Sequence, residues 1–114
     1  MKNVRYCFAL DLKEDPKLIE AYDLHHQKVW PEIELQILKT GVKSLELYRV
    51  QNRLFMILEA APSFSLVEKA KSDAAHPKVQ EWEKLMWNFQ QQLPFAQPGE
   101  KWVLMKKIYT LPHD

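Results

Sequence analysis

Residues 42–60, VKSLELYRV-QN-RLFMILEA, decide the fold. Two runs rich in Val, Leu, Ile, Tyr and Phe flank the polar pair Gln51-Asn52, and that pattern reads as a β-hairpin. The first run alternates, placing Ser44, Glu46 and Tyr48 in a polar row on one parity. The second does not, because Leu54 through Leu58 is apolar at both parities. A strand with one wet face should alternate. Both faces of this sheet are therefore expected to be covered, one by helices and the other by a partner subunit or an enclosed cavity. A homodimer is the commonest solution.

Working outward, residues 4–12 (VRYCFALDL) carry Tyr6, Phe8, Leu10 and Leu12 on one face, which predicts a half-buried strand. Asp15-Pro16 is a helix start, with Asp as the cap and Pro at the first helical position. The next segment sets Leu18, Ile19, Tyr22, His26 and Val29 on one face. Pro31 should interrupt it by pushing Trp30 out of helical geometry. A second short helix, 32–39, ends at Gly41, a left-handed cap. Downstream of the hairpin, Ser65 and Glu68 form a capping box. His76-Pro77 then breaks the helix as Trp30-Pro31 breaks the first. Val79, Trp82, Leu85, Met86 and Phe89 follow as an apolar helical stripe. After the loop LPFAQPGE, residues 101–110 (KWVLMKKIYT) read as the last strand. The order is that of an α+β, ferredoxin-like βαββαβ domain. It has a four-stranded antiparallel sheet with helices on one face.

The 114 residues make one domain, and no linker or low-complexity tract divides them. Lys+Arg 16 against Asp+Glu 15 leaves a net charge of +1, so neither a nucleic-acid footprint nor a basic membrane-binding stretch is present. No apolar run approaches the ~20 residues of a bilayer span, and the N-terminus has no signal-peptide pattern. The single Cys7 cannot close an internal disulfide, which fits a cytoplasmic protein. Two glycines in the whole chain leave no phosphate-binding loop, and Cys/His spacing offers no metal site.

Among candidate chemical groups, His113 lies at the chain terminus and His76 shapes the helix break. His26 falls one turn after Tyr22, so phenol and imidazole lie side by side. A lone His on an apolar face is more often a satisfied core residue. A Tyr-His pair within a turn of Trp30 at a helix break is less bland, since the break can leave an aromatic wall beside a titratable group. Flat rings next to a few hydrogen-bonding groups suit a carbohydrate, whose C–H faces stack and whose hydroxyls need partners. The generic alternative is an α+β domain whose aromatics are simply core.

The stretch from Tyr22 to Glu32, YDLHHQKVWPE, resembles the Y-x-x-x-H-x-x-x-W-P-E signature of the L-rhamnose mutarotase family. The likeness extends through Tyr48, the run 52–59, Trp82 and Leu111-Pro112, nearly the whole chain. It implies a dimeric α+β barrel type of fold and a cofactor-independent enzyme that interconverts the α and β anomers of a 6-deoxy-L-hexose, L-rhamnose or L-fucose. His26 would be the catalytic acid, with Tyr22, Tyr48, Trp82 and Trp30 around a monosaccharide substrate. One departure matters: where the family has a second Trp after the first, this chain has Glu83. That exchanges a stacking ring for a hydroxyl acceptor, so the sugar can differ from L-rhamnose, with L-fucose a close second and other 6-deoxy sugars open. The second acid/base group is left open among Tyr22, Glu83 and a water, and Met86 or Leu85 would wall the 6-methyl group. A cofactor-free oxygenase of the same architecture and a non-catalytic sugar-binding module are the competing functions.

Overall fold

The computed structural model describes residues 2–112; His113 lies outside them. Strand β1 (Val4–Leu12) sits centrally and pairs antiparallel with β3 (Arg53–Ala60), which pairs antiparallel with β2 (Val42–Val50) at the sheet edge. The hairpin turns at Gln51, whose φ of 53° is left-handed. The register fixes the two faces. Leu10 lies opposite Leu54, Phe8 opposite Met56, and Leu47 opposite Met56 on the other side. Alternation then puts Leu45, Leu47, Leu54, Met56 and Leu58 on one face and Ser44, Glu46, Tyr48, Phe55 and Ile57 on the other. The first face carries the core. Leu10, Leu12 and Leu54 are buried with Tyr22, Ile33, Val79, Trp82 and Met86 of the helices. Each such side chain contributes about 1.5–3 kcal/mol on leaving water.

The helices start where the caps dictate. In α1 (Pro16–His25) the Asp15 carboxylate accepts from the Lys17 amide. In α3 (Leu66–Ala74) Ser65 Oγ accepts from the Glu68 amide, half of the predicted box. The His76 ring does the same work for α4 (Pro77–Trp87), its Nδ1 accepting from the Val79 amide. Trp30 is held extended ahead of Pro31, and α2 (Pro31–Lys39) begins there and closes on Gly41 with φ of 105°. Both breaks thus fall at the predicted prolines. The first helix, however, ends at His25, well before Pro31. The His26 and Gln27 amides turn back three residues, to Asp23 and Leu24, tightening the last turn.

The predicted ten-residue last strand is mostly absent. The free edge of β1 is divided between β4 (Gln90–Gln91), opposite Asp11 and Leu12, and β5 (Val103–Leu104), opposite Phe8 and Ala9. The sheet order is β2-β3-β1-β4 with β5 also on β1. The Met105 amide still donates to the Cys7 carbonyl, and the chain then leaves β1 without pairing along Val4–Tyr6. Ile108 and Leu111 are 89% and 75% exposed. On the outer face Phe55 and Ile57 are half-buried and belong to neither core cluster.

Candidate active site

The early end of α1 builds the site. A regular helix would pair the Tyr22 carbonyl with the His26 amide. Here that amide serves Asp23, and the His26 ring takes the carbonyl instead, with Nδ1 2.9 Å from Tyr22 O. A carbonyl only accepts, so Nδ1 carries the proton and Nε2 keeps its lone pair. Burial holds the imidazole below its ordinary pKa of 6.5, only partly opposed by the carbonyl bond. At neutral pH His26 is therefore an uncharged base at Nε2. The acid role implied by the family likeness becomes available only after it has taken a proton.

Tyr22 lies against it, ring centroids 4.4 Å apart, and is itself buried. Burial pushes its phenol up to about 12, against a smaller opposing contribution from its Gln90 hydrogen bond. It is thus a proton donor throughout the neutral range. A fixed base and a fixed acid share one helical turn.

Two connected spaces adjoin the pair. An inner chamber of about 260 Å³ lies between sheet and helices, near the small end of the ~300–1,000 Å³ usual for ligand pockets. A wider cleft of about 720 Å³ opens toward the β2 edge. Tyr22, His26, Val29, Ile37, Leu45 and Leu47 line both. Trp82, Glu83 and Met86 line the chamber, so the structure brings four predicted site residues together: Tyr22, His26, Trp82 and Glu83. The Trp82 indole meets the His26 ring edge-on at 5.7 Å. Trp30 is among the lining residues of neither space; it packs edge-on against Trp82 at 5.1 Å and buttresses it, with Lys78 over its own ring. Tyr48 stands on the outer parity of the edge strand and reaches only the rim of the wider cleft. Met86, rather than Leu85, is the methionine-or-leucine wall of the chamber.

Sequence reasoning missed several polar groups. Lys101 Nζ binds Glu83 and lies 4.9 Å from the Trp87 ring centroid, with a side chain only 12% exposed. Arg49 holds Asp23 through two contacts of 2.9 and 2.6 Å, strapping the end of α1 to β2. That guanidinium keeps the Asp23 carboxyl below the usual range. Gln90 donates to Tyr22 Oη at 3.3 Å from the two-residue strand β4. Gln90 and Lys101 lay on no periodic pattern, and the alternation of β2 grouped Arg49 with Leu45 and Leu47 without saying which face meets the helices. Among the described residues no cluster of three or more His, Cys, Asp or Glu could hold a metal ion.

The fold is an α+β sheet-and-helix domain of the dimeric α+β barrel type, here with a buried Tyr22–His26 pair lining a chamber of about 260 Å³. A crystal structure of L-rhamnose mutarotase from Formosa agariphila superposes with a TM-score of 0.70 at 19% identity, covering 95% of this chain and 98% of that one. Tetracenomycin F2 cyclase from Streptomyces glaucescens, a type-II polyketide cyclase, gives 0.60 at 20% identity over 97% and 99%. These two share the architecture. Sequence is more specific: the profile of the L-rhamnose mutarotase family matches residues 5–111. L-fucose mutarotase of Xanthomonas campestris pv. campestris is 39% identical over 113 residues, 97% of this chain and 90% of that protein. A Dictyostelium discoideum protein is 36% identical over 110 residues, 93% and 88% of the two chains. The chain belongs to the L-rhamnose mutarotase family, a family of isomerase-type enzymes.

Proposed function

We propose that this chain is a mutarotase that interconverts the α and β anomers of a 6-deoxy-L-hexose, with L-fucose its preferred substrate. The observation that carries it is the Tyr22–His26 pair opening on the chamber, one group poised to take a proton and the other to donate one. Mutarotation needs both: the anomeric hydroxyl loses a proton, the ring C1–O5 bond breaks, and O5 gains a proton. His26 Nε2 withdraws the O1 proton while Tyr22 Oη hydrogen-bonds O5. The imidazolium then delivers that proton to O5, leaving the free aldehyde. Rotation about C1–C2 and the reverse transfers close the ring on its other face. Trp82 supplies the stacking surface, stiffened by Trp30, and Met86 the wall for the 6-methyl group. Two observations favour L-fucose over L-rhamnose: the 39%-identical relative, and Glu83 with Lys101 standing where a second indole is expected.

Saturation-transfer NMR of L-fucose and L-rhamnose anomers tests this reading. Exchange accelerated in proportion to protein concentration, faster for L-fucose, is the expected result. Folded protein that accelerates neither sugar overturns it.

The working unit on this reading is a cytoplasmic homodimer. The half-buried Phe55 and Ile57 on the outer face and the exposed Ile108 and Leu111 are surfaces a second copy would cover. Ile57→Asp should convert the dimer to a monomer in light scattering, and a wild type that runs as a monomer rules the dimer out.

A further inference from the structure

We propose that Gln90 is a sugar-binding residue of this site, its side-chain amide taking a hydrogen bond from a ring hydroxyl of the bound monosaccharide. The inference rests on the mutarotase reading for its ligand class and on the geometry of Gln90 for its substance. Gln90 is 3% exposed and lines the inner chamber. Its Nε2 donates to Tyr22 Oη at 3.3 Å, and its Oε1 has no partner. Buried polar side-chain atoms are nearly always paired, so an orphan on a side chain that lines the chamber calls for an occupant that supplies the missing bond. Packing gives no reason for the residue, because an apolar side chain of equal volume would fill the same space without an unmet acceptor.

The other polar groups of the chamber contrast with it. Lys101 is engaged by Glu83. Asp73 is engaged by Lys69 and by Gln36. Gln90 alone presents an unmet buried atom among the described residues. Its contact with Tyr22 adds a second consequence. Because Tyr22 Oη accepts from Gln90, the phenol proton is not spent on that contact and is free for the substrate. A sugar hydroxyl can donate, so it satisfies the orphaned Oε1 while Nε2 keeps its bond to the phenol oxygen. Gln90 thus fixes one hydroxyl of the ring while holding the phenol that serves the ring oxygen.

The test compares Gln90→Met with wild type, reading binding separately from exchange. Binding is measured by calorimetry with L-fucose and its 2-, 3- and 4-deoxy analogues, and exchange by saturation transfer. Losing the contact should weaken L-fucose binding about 10- to 100-fold. Thermal stability should change little, since removal of the orphaned acceptor offsets loss of the hydrogen bond to Tyr22. One deoxy analogue, lacking the hydroxyl that Gln90 holds, should bind both proteins equally. Unchanged affinity for L-fucose in the variant, or the same fold-loss with every deoxy analogue, overturns the proposal. A variant that melts lower but binds normally assigns Gln90 a structural role and overturns it as well. Wild type that binds L-fucose without accelerating exchange overturns the mutarotase reading alone, while wild type that binds no monosaccharide overturns both.

Discussion

Replacing His26 by Ala and by Asn separates its two tasks. The ring caps the Tyr22 carbonyl through Nδ1 and presents Nε2 to the cleft. In Asn, Nδ2 sits one bond beyond Cγ, as Nδ1 does in His, so His26→Asn keeps the cap and removes the base. His26→Ala removes both. The capping bond is part-buried and should contribute about 0.5–1.5 kcal/mol. The ring contacts with Tyr22 and Trp82 add about the same again. His26→Ala should therefore lose about 1–3 kcal/mol and His26→Asn about 0.5–1.5 kcal/mol, a difference of several degrees in melting temperature at this chain length. The rate should respond differently. Both variants should fall about 10²- to 10⁴-fold in anomeric exchange, the usual contribution of a general base. That corresponds to ~3–5 kcal/mol of barrier. Thermal melting and saturation-transfer exchange on the same samples provide the two readouts. If His26→Asn exchanges sugar at the wild-type rate, Nε2 is not the proton acceptor. If it melts as low as His26→Ala, the capping argument fails.

Three further outcomes follow from the electrostatics. Because burial lowers the His26 pKa in the fold, exchange should fall on acidification with a midpoint below 6.5 and stay flat through neutrality; a midpoint above 6.5 contradicts the buried base. The same depressed value means its share of stability is fully present above 6.5 and is lost as pH falls through the folded value, visible as a lower melting temperature that His26→Asn no longer shows. Glu83→Ala should leave Lys101 largely buried without its carboxylate and cost about 1–2 kcal/mol, less than a fully buried pair because Glu83 is partly exposed. Lys101→Met added to it should restore most of that loss in a double-mutant cycle; equal losses for both variants would mean the pair is uncoupled.

Much of the fold was legible because its signals are local. Alternation marked β1 and the first hairpin strand, apolar runs about Gln51-Asn52 marked the hairpin, the Asp15 and Ser65 caps marked helix starts, and Pro31 and Pro77 marked the breaks. The last strand was overread for a reason sequence cannot show. Residues 101–110 carry enough Trp, Val, Ile and Tyr to read as a strand, but Gln90–Gln91 takes the Asp11–Leu12 end of β1, and the chain leaves β1 after Met105. The Tyr22–His26 adjacency followed from helical spacing. The reason Nδ1 is committed did not, since it depends on a last turn tightened by two amides. Tyr48 was correctly grouped with Ser44 and Glu46, yet parity gives rows and not which row faces the helices. Trp30 looked like a sugar platform from its place beside the break, whereas packing sets it behind Trp82. Gln90 had no pattern at all, because a two-residue strand leaves no period to read.

Tyr22 and His26 bound the same five-residue stretch of backbone, and the tether between them is the terminal coil of α1. Heat that frays this coil would uncouple imidazole from phenol long before the sheet lets go. Catalysis should consequently fade at temperatures where circular dichroism still reports an intact protein.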